Sequence, residues 1–154
     1  MDVLAAVAAI VALVLNGLMA GLYFAFSVSV MPALDAIDQD QATAAMRSVN
    51  QKILNPVFLL AFTLSPVLSL LAGVLLLVSG ASVPGIVALA AAVVCFAGSI
   101  LVTSVVNVPL NNALNEGNVD WPGYSSRWTR WNHLRGWACV LSVVLLGAAL
   151  YLWA

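Results

Sequence analysis

The sequence predicts an all-α membrane protein: a four-helix transmembrane bundle, up-down-up-down, with a short interfacial amphipathic helix between the first two spans. Three observations predict it. Only 7% of the residues are charged, whereas a soluble domain carries about 25%. Four apolar stretches reach or exceed the ~20 residues that a helix needs to cross a bilayer. The links between them are short, so successive spans run antiparallel within one domain, 1–154. A hydrophobic fraction of 64% and a mean hydropathy of +1.08 exclude a soluble globular fold. The net charge of −1, without any run of Lys or Arg, argues against nucleic acid and leaves the lipid bilayer as the surroundings.

The first span covers about 3–31, an apolar run broken by Asn16, Tyr23 and a few serines. It exceeds the length needed to cross and is expected to tilt. It does not read as a cleavable signal, because no Lys or Arg precedes it and its apolar core is too long. Gly17 and Gly21, four apart, form a small-residue face for close helix approach, with Asn16 beside it. Pro32 marks the exit. Asp38 with Gln41 resembles a capping box, and Ala42, Met46, Val49 and Ile53 then recur at helical spacing, which predicts the interfacial helix over 39–54. Asp35, Asp38 and Asp40 read as solvated charges, since no histidine or glutamate joins them at ligand spacing.

Asn55-Pro56 opens the second span, 56–78, with proline in the first turn, where a missing N–H does no harm. Thr63, Ser65 and Pro66 predict a kink within it. The uncharged link from Ser79 to Pro84 makes a hairpin with the third span, 85–108. Pro109 removes the partner of the Val105 carbonyl; if the helix continues past it, Thr103, Asn107 and Asn111 line one face. Glu116 to Asp120 reads as a turn and Trp121 to Ser126 as an irregular segment, ahead of a last span over 128–152. There Trp128, Asn132, Arg135 and Cys139 share a face, with His133 and Trp137 on an adjacent one. Cys95 and Cys139 form no CxxC or Cys/His cluster and read as small buried hydrophobes at different depths.

All five cations, Arg47, Lys52, Arg127, Arg130 and Arg135, fall in or beside the first and third connections. The positive-inside rule puts those connections in the cytoplasm and both termini outside, in a multi-pass plasma (inner) membrane protein. One polar layer then emerges near that side: Tyr23 and Ser27, Asn55 and Thr63, Thr103 and Asn107, and Asn132, His133 and Arg135. Asn16, roughly 20 Å below the exit of its helix, forms the floor of any cavity. Tryptophans such as Trp121, Trp128 and Trp153 also suit a membrane interface for their own sake, and Asn16 suits helix-to-helix bonding. Asn107, Asn111, Asn132 and Arg135 exceed what anchoring requires. His133, the one histidine, reads as an interface residue, a proton carrier or a haem ligand. A lone histidine cannot make a two-histidine haem site or a zinc site within one chain.

These features resemble the anthrone oxygenase family of small membrane proteins, also known as the domain of unknown function 1772 family. The resemblance rests on Gly17 and Gly21 ahead of Tyr23-Phe-Ala-Phe26, Pro32-Ala-Leu34, Asn55-Pro56, Asn107-Val-Pro-Leu-Asn111 and Trp128-Thr-Arg-Trp-Asn-His-Leu-Arg135. It runs through all four spans in order; the Asn107 and Trp128 motifs are its specific part. It implies oxidation of a planar polycyclic phenolic or anthrone-like substrate by O2, a monooxygenase reaction without a resident cofactor, haem or metal being left open. His133 is then the candidate base, because imidazole exchanges protons near neutrality. Arg135 and Asn107, with Asn111, would stabilise the oxyanion. Trp128 and Trp131 would flank the ring system, with Asn132, Asn16 and Tyr23 completing the pocket. The implied partner is a hydrophobic aromatic small molecule, with homo-oligomerisation open. A noncatalytic subunit or a scaffold for lipid, quinone or haem uses the same pocket without turnover. A transporter fits less well, because the first three spans hold no Asp, Glu, Lys or Arg away from their ends.

Overall fold

The computed structural model describes residues 2–154, which form helices joined by short turns and contain no strand. Five helices follow one another: α1 (Asp2–Asp35), α2 (Gln39–Lys52), α3 (Pro56–Val78), α4 (Ser82–Glu116) and α5 (Trp121–Trp153). All but α2 are long and apolar enough to cross a bilayer, which makes this a multi-pass membrane protein. The four spans close a ring, with α1 against α3 and α5, and α4 against the same two. Alanines and a few leucines fill the seams of the lower half, among them Ala5, Ala12, Ala88, Ala91, Leu76 and Leu146. At the other end α2 lies across the bundle, burying Ala42 and Met46 against Leu110, Leu114, Trp121 and Tyr124. The Asp38 carboxylate caps α2 by accepting the Asp40 and Gln41 N–H groups at 3.0 and 3.2 Å.

The three prolines within the spans do not end them. Pro32 and Pro109 lack the N–H that would reach Val28 and Val105, and in both places the preceding turn is widened by one residue. The Met31 N–H bonds to Phe26 O, five residues back, and the Val108 N–H to Thr103 O. Helix α1 thus runs on to Asp35 and α4 to Glu116, beyond the expected ends at 31 and 108. In α3 the carbonyl that Pro66 leaves without its amide, that of Phe62, accepts the Ser65 hydroxyl at 3.1 Å, and the helix is unbroken. Lipid favours these repairs, because a backbone group abandoned there costs several kcal/mol.

Helix α4 ends at Gly117, whose φ of +77° is the left-handed conformation glycine adopts freely; Asn118 N–H then reaches Ala113 O at 2.9 Å. Arg47 adds its Nε to the Leu114 carbonyl at 3.1 Å, a cation at a helix C-terminus. Helix α5 begins at Trp121 rather than about 128, because the Asp120 carboxylate accepts the Gly123 N–H at 3.1 Å and Pro122 sits where its missing N–H is harmless. Asp35, expected to be a solvated charge, accepts from Trp121 Nε1 at 2.8 Å and Ser125 Oγ at 2.6 Å, tying the end of α1 to the start of α5.

Two expectations about packing are corrected. Gly17 and Gly21 face outward, and a side chain added at either would meet nothing within 4 Å, so they do not mediate packing inside this bundle. Cys95 and Cys139 are not at different depths. The antiparallel register of α4 and α5 sets Asn107 beside Trp128, Thr103 beside Arg135, Gly98 beside Ala138 and Ala91 beside Ser142, and the two free thiols are neighbours on the same ladder.

At the middle of that ladder a Cβ on Gly98 would collide with the Ala138 Cβ. Gly98→Ala is expected to lower stability by about 1–3 kcal/mol, read from thermal unfolding in detergent. Adding Ala138→Gly to the same chain should recover most of the loss. Asp120→Ala should cost about 1 kcal/mol in the same assay, with α5 fraying back towards Arg127.

Candidate functional site

All five helices contribute to one cavity of about 220 Å³ beneath α2. That is below the usual range for small-molecule sites, about 300–1,000 Å³. Helix α1 supplies Leu22, Tyr23 and Phe26; α2 and the residues after it supply Met46, Val49, Asn50 and Ile53; α3 supplies Phe58. The far wall is Thr103, Asn107, Val108 and Asn111 of α4 with Trp128, Asn132 and Arg135 of α5. The exposed side chains of Gln51, Leu54, Asn112 and Asn115 form the rim. The widened turns before Pro32 and Pro109 border it, where Phe26 begins the first and Thr103 and Asn107 bound the second. The helix does continue past Pro109, and Thr103, Asn107 and Asn111 all reach the cavity. A second hollow, between Thr63, Pro66, Ala92 and Phe96 on the flank of α3 and α4, is almost wholly apolar, and its one hydroxyl, on Thr63, is bound to the Leu59 carbonyl.

Asn132 sets the polar wall. It is fully buried, its Nδ2 donating to the Tyr23 carbonyl and to Ser27 Oγ, both at 2.7 Å, while its Oδ1 accepts from Arg135 Nη2 at 2.7 Å. All three hydrogen bonds hold one orientation of the amide. Arg135 is 6% exposed; its Nη1 donates to Thr103 Oγ1 at 3.1 Å. Its guanidinium lies 4.5 Å from the centre of the Tyr23 ring and 5.1 Å from that of Trp128, sandwiched by cation–π contacts. The Tyr23 hydroxyl shares a hydrogen bond of 3.0 Å with Ser99, and Tyr124 donates to Asn111 Oδ1 at 2.9 Å. Asn107 Nδ2 makes a long contact of 3.5 Å to the Trp128 carbonyl.

Among the described residues, six buried side-chain polar atoms have no partner on the chain, and four belong to the cavity lining: Asn50 Nδ2, Asn107 Oδ1, Trp128 Nε1 and Arg135 Nε. Buried polar groups are normally satisfied, so this concentration marks the wall as prepared for something polar.

Of the residues expected to form a site, Tyr23, Asn107, Asn111, Trp128, Asn132 and Arg135 converge here. His133, Trp131 and Asn16 do not. His133 is exposed on the outer side of α5. At 3.6 residues per turn it lies roughly 130° around the helix from the face shared by Trp128, Asn132 and Arg135. Trp131 is likewise on the outside, 36% exposed. Asn16 is buried well below the cavity, its Nδ2 bonded to the Ala12 carbonyl at 2.9 Å and to Ser69 Oγ at 3.4 Å, which is helix-to-helix bonding rather than a floor. Trp121 and Trp128 are buried core residues, not interface anchors. The residues that sequence reasoning passed over are Phe26, Asn50 and Phe58. Asn50 was legible in principle, since it follows Val49 on the apolar side of α2.

Comparison with known proteins adds a family to this geometry. No curated protein and no solved structure matches the chain. Residues 51–145, from the end of α2 through most of α5, match the anthrone oxygenase family. That stretch contains Asn107, Asn111, Trp128, Asn132 and Arg135, the polar wall of the cavity, and the chain belongs to the anthrone oxygenase family.

Proposed function

We propose that this protein is a membrane oxygenase that oxidises a planar polycyclic phenolic or anthrone-like substrate with O2 in the cavity under α2. The observation that supports it is the meeting of the Asn107 and Trp128 motifs, on the facing helices α4 and α5, on one cavity in a chain of this family. Phe26, Phe58 and Trp128 offer apolar and aromatic surface to a flat ring system. Arg135, held by Asn132 and Thr103, would face the oxygen on which charge gathers when the ring ketone enolises, a preorganised cation in a site of low polarity.

The reaction balances with O2 alone. Loss of one proton from the ring CH2 gives the enolate. The enolate passes one electron to O2, and the carbon radical and superoxide combine into a C–O bond, forming a peroxide. Loss of the second proton from that carbon with cleavage of the O–O bond leaves a ketone, and the released oxygen takes up both protons as water. Oxygen is reduced and the ring carbon oxidised by the same four electrons.

His133 has no part in this scheme, since its side chain stands outside the cavity. The five cations lie in α2 and the first half of α5, at the cavity's end of the bundle, so the charge rule supports a cavity facing the cytoplasm of the inner membrane. A second reading, a noncatalytic subunit or a scaffold for lipid, quinone or haem, is favoured by one feature: among the described residues neither imidazole nor carboxylate lines the cavity.

The test is oxidation of emodin anthrone by purified protein under air, followed as anthraquinone absorbance above the spontaneous rate. His133→Ala should leave the protein-dependent rate unchanged, while Arg135→Gln should lower it about 10²- to 10³-fold. No protein-dependent oxidation of any anthrone offered would move the assignment to the scaffold. A rate unchanged by Arg135→Gln would place the chemistry away from this wall.

A further inference from the structure

We infer that the cavity binds its aromatic ligand as an anion, already deprotonated or acidic before it enters, with Arg135 as the resident counter-charge. This deepens the reading of the cavity as the ligand site and concerns what the site selects, not whether it turns the ligand over.

A buried guanidinium inside a membrane-spanning bundle is costly unless something of opposite sign meets it. Arg135 is buried, yet both of its hydrogen bonds go to neutral oxygens, those of Thr103 and Asn132, and two ring faces complete its surroundings. The chain has six acidic residues. Asp38 and Asp120 cap helices, Asp35 is engaged by Trp121 and Ser125, and Glu116 accepts from Asn118. Asp2 opens α1, at the opposite end of that helix from Asp35, and Asp40 lies in the exposed first turn of α2. Among the described residues none of the six lines the cavity.

The unpartnered atoms point the same way. Asn50 Nδ2, Trp128 Nε1 and Arg135 Nε are donors, and only Asn107 Oδ1 is an acceptor. Two neutral donors and the cation, whose own Nε is the third free donor, against one acceptor suit a ligand rich in lone pairs: an ionised oxygen on a flat ring, with a neighbouring hydroxyl for Asn107. A neutral ketone or hydrocarbon would leave the charge and most of these donors unanswered. The cavity also lacks a carboxylate or imidazole to make an anion from a neutral ligand, so it is built to receive one. Phenolates, enolates and aromatic carboxylates share this chemistry.

The test uses two probes of nearly the same shape that cannot undergo the oxidation: 2-naphthoate, ionised at neutral pH, and 2-naphthamide, which is neutral. Calorimetric titration of the intact protein in detergent should show naphthoate binding at least tenfold more tightly. In Arg135→Gln the preference should vanish, and in Arg135→Lys it should persist in weakened form. Equal binding of the two probes by the unaltered protein overturns the inference without reliance on any variant, as does a preference that survives Arg135→Gln. Because neither probe is turned over, this result is separable from the oxidation assay. Anion preference without anthrone oxidation would remove the oxygenase reading alone, and oxidation without anion preference would remove this one alone.

Discussion

The carboxamide of Asn132 joins parts of the bundle that would otherwise be independent. With its two N–H groups it holds α5 to the Tyr23 carbonyl and the Ser27 hydroxyl of α1, and with its oxygen it holds Arg135. Arg135 in turn reaches Thr103 on α4 and lies between the rings of Tyr23 and Trp128. Three of the four spans therefore meet through one buried amide and one buried cation. In an apolar solvent the groups left unpaired by a shift of any of these helices would each cost several kcal/mol, so the knot fixes register as well as contact. The lower half has only single bonds between neighbouring helices, Asn16 to Ser69 and Ser142 to the Ala91 carbonyl, among alanine seams that set distance.

The same solvent explains why prolines behave here as they do. In water a freed carbonyl finds a water molecule and the helix ends. In lipid the chain instead widens the turn, as before Pro32 and Pro109, or lends a hydroxyl, as Ser65 does beside Pro66. The two widened turns border the cavity, so the devices that keep the backbone satisfied also shape its wall. Asn132 anchors on the carbonyl of Tyr23, three residues before the first of them.

Most of the architecture was legible from the sequence, because apolar length dictates spans and Asp38 and Asn55 announce helix starts, whereas Asp120 passed as part of a turn. What misled was punctuation: Pro32 and Pro109 marked the expected span ends, and Trp121 to Ser126 read as irregular, under rules that hold where water is at hand. The site was legible where the argument rested on helical spacing, as for Thr103, Asn107 and Asn111, or for Trp128, Asn132 and Arg135. It failed where chemistry was preferred to geometry. His133 attracted a role as the one imidazole, although counting turns from Asn132 and Arg135 already sets it on another face. The contribution of α2 was hidden for a different reason, since a short amphipathic helix is compatible with lying on lipid or on protein. Only tertiary contact tells which, and here Met46 and Asn50 belong to the cavity.

The position of α5 in the ring has a consequence in time. It packs against α1 and against α4, and it supplies Trp128, Asn132 and Arg135. A ribosome delivers α5 after the other four helices, so during insertion the growing chain holds three spans and a cap without the cation or the amide that organises them. The cavity is complete only when α5 stands between α1 and α4 and Arg135 is buried there. Without α5, the seam that it fills between α1 and α4 stands open, and the cavity has lost its polar wall.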